Sequence, residues 1–341
     1  MKSLKKLCRV EKPKNSLLFL AGVLFLVISA VLSLLLGSAR LSLKEIFDII
    51  TRNSQNYAGE RILLYVRLPR TAACLICGAA LSVSGAVIQA VLNNRLASPS
   101  IIGVNSGAGL AVTVCSALGL YGGWQFSAFA FCGAFLAVIL VSSSARRWGA
   151  SRGTVILIGV ALNSLLGAIS DAIITLVPEV SIMSNDFKVG EFSSVTLPSI
   201  IPASVAVAVT LVILFTLTNQ LDIITMGDDT AKSLGLNTKF FRVLFLILAA
   251  LLAGSAVSIA GLLSFVGLIV PHAIRRIAGS EHRVLLPLSA LFGAAFVCLC
   301  DTIARTAFAP YEIPVGIIMA FLGAPFFVFI LIKGKGGHSN A

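Results

Sequence analysis

The side chains whose types and spacing could do chemistry are two histidines, two cysteine pairs and a few carboxylates, all set among apolar runs. His272 and His282 lie ten positions apart in "VGLIVPHAIRRIAGSEHRVLLP" (266–287). That separation places them across a turn, not on one helix face as H-x-x-x-H would, and they read as polar groups at helix ends. Cys74-x-x-Cys77 and Cys298-x-Cys300 have redox- or metal-like spacing. Both pairs sit in apolar stretches with no second cluster of ligands, where a thiol packs as a small hydrophobe. No metal site and no catalytic residue is expected. The sequence "GKGGHS" near the C-terminus lacks the spacing and preceding strand of a P-loop, and G-x-x-x-x-G-K-[ST] occurs nowhere. "GVNSGAG" (103–109) lies within an apolar run, where small residues let helices approach closely.

Two carboxylates interrupt the apolar runs. Asp301 stands four residues before Arg305, so the two can pair on one helix face. Asp171 closes a polar stripe of Asn163, Gly167, Ser170 and Asp171 at i, i+4, i+7 and i+8. An unpaired Asp at mid-bilayer costs about 2.5–3.5 kcal/mol on insertion scales, so such charges face a partner or a water-filled cavity. The stripe reads either as the wall of a pathway or as hydrogen bonding between packed helices. The sequence does not choose between them.

The elements that must carry these residues are membrane helices. Of 341 residues, 57% are hydrophobic and 12% charged, whereas soluble domains carry about 25% charged residues. Ten apolar stretches approach the roughly 20 residues that cross a bilayer: 17–36, 68–91, 100–120, 125–145, 153–176, 199–219, 240–258, 262–279, 283–306 and 313–332. The net charge of +12 lies between these runs, without the aromatic-interleaved basic patch of a nucleic-acid binder. A cytoplasmic N-terminus puts most basic residues inside, among them Lys5, Lys6, Arg95, Arg146, Arg147, Arg152, Lys232, Lys239, Arg242, Arg275, Arg276, Arg283, Lys333 and Lys335. The reverse orientation would invert that bias. Residues 1–16 form a basic N-terminus, and the apolar run after them is longer than the about 7–15 residues of a cleaved signal. A retained first helix is expected.

Outside the membrane, "LSLKEIFDII" (41–50) puts Leu43, Ile46, Phe47 and Ile50 on one face, the pattern of a helix lying on the surface. Residues 179–198, bounded by Pro178 and Pro198, form a second outer segment. "AALSVSGAVI" (79–88) and "SAVSIAGLLS" (255–264) share small residues in register on spans expected to run oppositely. An inverted repeat and coincidence both account for that. The largest internal polar break is "LDIITMGDDTAKSLGLNTKFFR" (221–242). Gly227 or Asp228 can cap a short helix with acidic residues in its first turn, and Gly235 suits a left-handed C-terminal cap. Ala231 and Leu234 are expected to share a face. So short a helix is marginal alone, so its apolar face is expected to dock on a cytoplasmic partner.

Four stretches in order carry a family resemblance: "RLPRTAACLICGAALSVSGAVIQAVLNNRLASPSIIGVNSGAG", "GDDTAKSLGLN", "GLLSFVGLIVPHAIRRIAGSEHRVLLPLSA" and "DTIARTAFAPYEIPVGIIMAFLGAPFF". They resemble the FecCD-type permeases, the membrane subunits of ABC importers for iron–siderophores, haem and cobalamin. The resemblance implies an all-α polytopic membrane protein of about ten transmembrane helices, an ABC importer permease of the cobalamin-importer type. It would be a single permease domain over 1–341, with 220–239 as a cytoplasmic coupling segment, in a bacterial cytoplasmic membrane with both termini inside. It also implies partners: a second permease protomer, identical or paralogous, two ATP-binding subunits that hold ATP and Mg, and an external binding protein. This chain would hold no cofactor. Asp228, Asp229, Ala231, Lys232, Ser233, Leu234 and Gly235 match the helix that seats in the ATPase. Arg67, Arg70 and Arg305 match arginines that receive acidic residues of the binding protein, which a planar guanidinium holds bidentately. One departure is Asn94-Arg95-Leu96-Ala97, where the family has Asn-Pro-Leu-Ala, which implies a less rigid turn. The expected cargo is an iron(III)–siderophore, with haem or cobalamin as alternatives. A proton-coupled carrier working through Asp171 or Asp301 is the rival.

Overall fold

The computed structural model describes residues 12–37, 45, 48–49, 51, 57–120, 123–147 and 152–335. The expected surface helix at 41–50 has its face residues outside this set. The main helices are α1 (Lys12–Leu35), α2 (Tyr57–Val91), α3 (Val104–Ala117), α4 (Gly123–Arg147), α5 (Arg152–Leu176), α6 (Ser181–Val189), α7 (Leu197–Thr216), α8 (Thr218–Thr225), α9 (Asp228–Ser233), α10 (Thr238–Ala260), α11 (Val266–Ala278), α12 (His282–Thr306) and α13 (Val315–Lys335). Among the described residues, seven helices are long and apolar enough to cross a membrane: α1, α2, α4, α5, α7, α10 and α12.

Two expected spans are shorter than the sequence suggests. α3 has 14 residues and α11 has 13, or about 20 Å each at 1.5 Å per residue, against a hydrocarbon core of about 30 Å. Backbone geometry accounts for both. Gly103 (φ +93°) separates α3 from a 3₁₀ turn at Pro99–Ile102, and Phe265 (φ +67°) stands at the start of α11. Left-handed residues cannot continue a right-handed helix. Non-helical backbone at membrane depth is tolerated where protein buries it, and Ile102, Val104 and Val266 are buried.

α2 is longer than expected. Its Ile62–Arg67 portion is π-helical, with the Leu68 amide donating to the Leu63 carbonyl. Pro69 follows at once, and lacking an N–H it cannot bond the Tyr65 carbonyl, so the ladder widens there.

Side-chain pairings give the helix directions. Cys77 and Ser84 of α2 donate to the Ala256 and Ala249 carbonyls of α10; rising numbers meet falling ones, so the pair is antiparallel. α2 and α12 are antiparallel too, since Arg70 meets Asp301 and Gly78 meets Gly293. α1 and α12 are parallel, joined at Ser29–Cys298 and Ser33–Arg305. The opposite courses of spans two and seven therefore agree with the sequence expectation. Close approach is bought with glycine: a Cβ on Gly85 would sit 1.9 Å from the Gly267 carbonyl oxygen, and one on Gly78 would sit 2.3 Å from that of Gly293. The Asn94–Ala97 turn is bonded without a proline. Asn94 Oδ1 accepts the Leu96 amide at 2.9 Å, and the Asn94 carbonyl accepts the Ala97 amide at 3.1 Å.

Candidate functional site at the two ends of the bundle

One end of the bundle holds a buried arginine cluster. The last turns of α12 and the turn of α2 just after its π-helical portion bring Asp301, Arg305 and Arg70 together. Arg70 Nε lies 3.1 Å from both Asp301 oxygens, and its Nη2 lies 3.0 Å from Oδ1. Arg70 Nη1 donates to Glu312 at 2.7 Å. Arg305 Nε sits 3.1 Å from Asp301 Oδ2, the i,i+4 ion pair expected from sequence, and its Nη2 donates to the Ser33 carbonyl at 2.9 Å. Arg67 Nη1 donates to the carbonyls of Leu34 and Leu35, at 2.6 and 2.9 Å, where α1 ends. The three expected docking arginines thus lie together, but they are only 2–5% exposed and turned inward. Glu312, with a side chain 39% exposed, is the open edge of the cluster.

The stripe on α5 divides. Asn163 accepts a hydrogen bond from Ser106 and donates to the Ser100 carbonyl, and Ser170 bonds Thr113 at 2.9 Å. These contacts join α5 to α3 in parallel. Asp171 is exposed and pairs with Lys188 of α6 at 3.3 Å, while no neighbour stands within 4 Å of a Cβ built on Gly167. Two of the four residues are helix–helix fasteners and two lie open. The cysteine pairs are buried free thiols, and no group of three or more His, Cys, Asp and Glu side chains among the described residues is placed to hold a metal ion.

The opposite end carries α8, α9 and the α11–α12 turn. Gly227 (φ +108°) precedes α9, and Gly235 (φ +80°) follows it in the left-handed region. Asp228 and Asp229 occupy the first turn, where the helix dipole favours them. Arg242 Nη2 grips Asp228 at 2.7 and 2.9 Å and ties α9 to α10. Lys232 lies 3.8 Å from Asp229, both exposed, and the Ser233 hydroxyl donates to the Thr230 carbonyl. Ala231 is fully buried whereas Leu234 is 60% exposed. The expectation of a shared face is corrected in burial: Ala231 seats the helix on its own chain, whereas Leu234, in the C-cap place, is exposed, as is Met226 (62%).

The FecCD transport family pattern matches residues 25–333. The chain belongs to the FecCD transport family. Over 93% of its length it is 34% identical to the hemin transport system permease protein HmuU of Yersinia pestis, of which it covers 96%. It is 33% identical to the iron(3+)-hydroxamate import system permease protein FhuB of Bacillus subtilis, over 94% of this chain and 84% of that one. A solved structure of an inward-facing ABC transporter assigned to the metal-chelate type superposes with a TM-score of 0.84 at 30% identity, covering 93% of this chain and 99% of that one.

This FecCD chain also has paired residues that local sequence patterns do not reveal. Asp222 meets His282, Glu312 meets Arg70, and Gln89 meets Arg275. Their partners lie 60 to 242 positions apart, beyond any helical periodicity. The only local signal was polarity beside apolar runs.

Proposed function

We propose that this FecCD chain is the membrane-spanning permease of an ATP-driven importer for an iron(III)–siderophore, delivered by a binding protein and powered by a separate ATPase. The observation that carries this reading is α9. It is a six-residue helix bracketed by two left-handed or extended glycines, anchored by Ala231 and Asp228 and presenting Leu234 outward. In this reading α9 enters the ATPase, its end of the bundle is cytoplasmic, and ten helices per protomer surround a pathway between two permeases as in cobalamin importers. The open side of α5, with Gly167 and Asp171, faces that pathway. The iron cargo is favoured because relatives named for hemin and iron(3+)-hydroxamate match along nearly the whole chain; haem is the second reading.

The binding protein meets the opposite end. Arg67, Arg70 and Arg305 serve docking there by exchange, an incoming carboxylate taking contacts now made within the chain. Reversing Arg67 and Arg70 to Glu is expected to weaken docking, most strongly at low salt; unaltered affinity at low salt would remove them from the interface. The proton-carrier reading loses ground, because Asp301 is held by two guanidiniums and Asp171 lies beside Lys188.

Leu234→Asp tests the central reading. Assembled with its ATPase in vesicles, the variant is expected to lose uptake and transport-linked ATP hydrolysis while keeping its fold. Full uptake by Leu234→Asp, or uptake with no ATPase that an uncoupler stops, would sink it.

A further inference from the structure

The first turn of α12 is fastened from outside the helix. Asp222 Oδ1 accepts the His282 amide at 3.2 Å and lies 2.5 Å from His282 Nδ1. Glu281, in the N-cap place, makes no side-chain cap. A helix start leaves amides without internal partners, and here one partner comes from α8. Pro287 also removes the rung that would reach the Arg283 carbonyl, so this turn depends more on the outside bond. His282 is 3% exposed, and Leu221 and Ile224 beside Asp222 are buried.

α8 leads through Met226 and Gly227 straight into α9. α12 runs 25 residues, about 37 Å, to Asp301 and Arg305 at the far end. Packed helices slide past one another in small shear steps. A carboxylate that engages both the amide and the ring of one residue opposes such sliding and holds α8 and α12 in one register.

We propose that Asp222 and His282 form the joint through which a displacement of α9 reaches α12, and so the arginine cluster at the opposite end. The inference rests on the reading of α9 as the ATPase-facing helix. Both are positioning residues; neither contacts cargo.

The test uses the assembled permease–ATPase complex in nanodiscs, with spin labels on Lys232→Cys and Arg283→Cys and, separately, on Tyr311→Cys. Each is measured with and without Mg-ATP plus vanadate. With Asp222 present, the 232–283 distance stays single and narrow in both states, and nucleotide changes the Tyr311 label's spectrum. Asp222→Ala is expected to broaden the distance and to cut the nucleotide response at Tyr311 about tenfold, the ratio carried by one charge-assisted hydrogen bond. ATP hydrolysis continues. Asp222→Asn, whose oxygen still accepts both bonds, restores both readouts, which a loss of packing alone would not predict. A narrow distance and full response in Asp222→Ala overturn the joint. Leu234→Asp separates the two failures. If it silences Tyr311 while Asp222→Ala does not, only the joint falls; if it leaves the response intact, the reading of α9 has failed. Should Asp222→Ala not assemble, Asp222→Ser, too short to reach either the amide or the ring of His282, is read by the same outcomes.

Discussion

Asp301 is completely buried and serves Arg70 and Arg305 at once. Removing its charge leaves Arg305 with only the neutral Ser33 contacts and Arg70 with only Glu312, and breaking a buried pair in this way costs up to about 3–5 kcal/mol. Asp301→Asn is therefore expected to lower the melting temperature of the purified chain markedly. Glu312→Gln, at the half-open rim, is expected to lower it much less. Equal melting temperatures for wild type and Asp301→Asn would show that the cluster contributes little to the fold. The sequence revealed the Asp301–Arg305 pair, because i,i+4 spacing is a local fact. It did not reveal that Arg70 shares the same carboxylate, or that Arg67, Arg70 and Arg305 are all buried within the chain. A residue's type predicts which partner it needs, but long-range packing decides which partner it finds.

At the scale of elements, glycine positions separate contact from conformation. A methyl on Gly85 would drive into the Gly267 backbone, whereas one on Gly109 meets nothing within 4 Å. Gly85→Ala is expected to destabilise the α2–α11 contact by about 1–3 kcal/mol as an overpacked site. Gly109→Ala is expected to be neutral or slightly stabilising, since it only removes backbone freedom. Thermal unfolding of the two variants side by side checks both. Apolar runs were legible as helices throughout, because hydrophobicity over about 20 residues is a strong signal. The short lengths of α3 and α11 were less so. They depend on left-handed backbone at Gly103 and Phe265, and nothing about a phenylalanine announces a positive φ. The glycines around α9 were legible, because glycine is the ordinary residue at such positions.

Across the whole molecule, burial is uneven. In α2, 78% of the apolar window is inside the bundle, against 17% in α5. Such a helix suits lipid or a second copy, and the proposed dimer places the copy there. With the exposed Cys132 replaced by Ser, Asp171→Cys, on the open side and with a side chain 72% exposed, is expected to cross-link two copies in membranes under mild oxidation. Only monomeric product would move α5 out of the interface. The wide turn at Ile62–Arg67 has a separate bearing on the molecule. It holds one residue more than a regular turn would, so it sets the phase between Tyr57–Arg61 and the packed length that follows. Excising Leu64 would let the coil close to a regular turn and leave Tyr57–Arg61 in its present phase, while Arg70 kept its grip on Asp301; excising a residue from a regular turn, with no slack to absorb it, would swing everything upstream by about 100°. The wide turn is thus a reserve of one residue, which the chain could lose there with its core untouched.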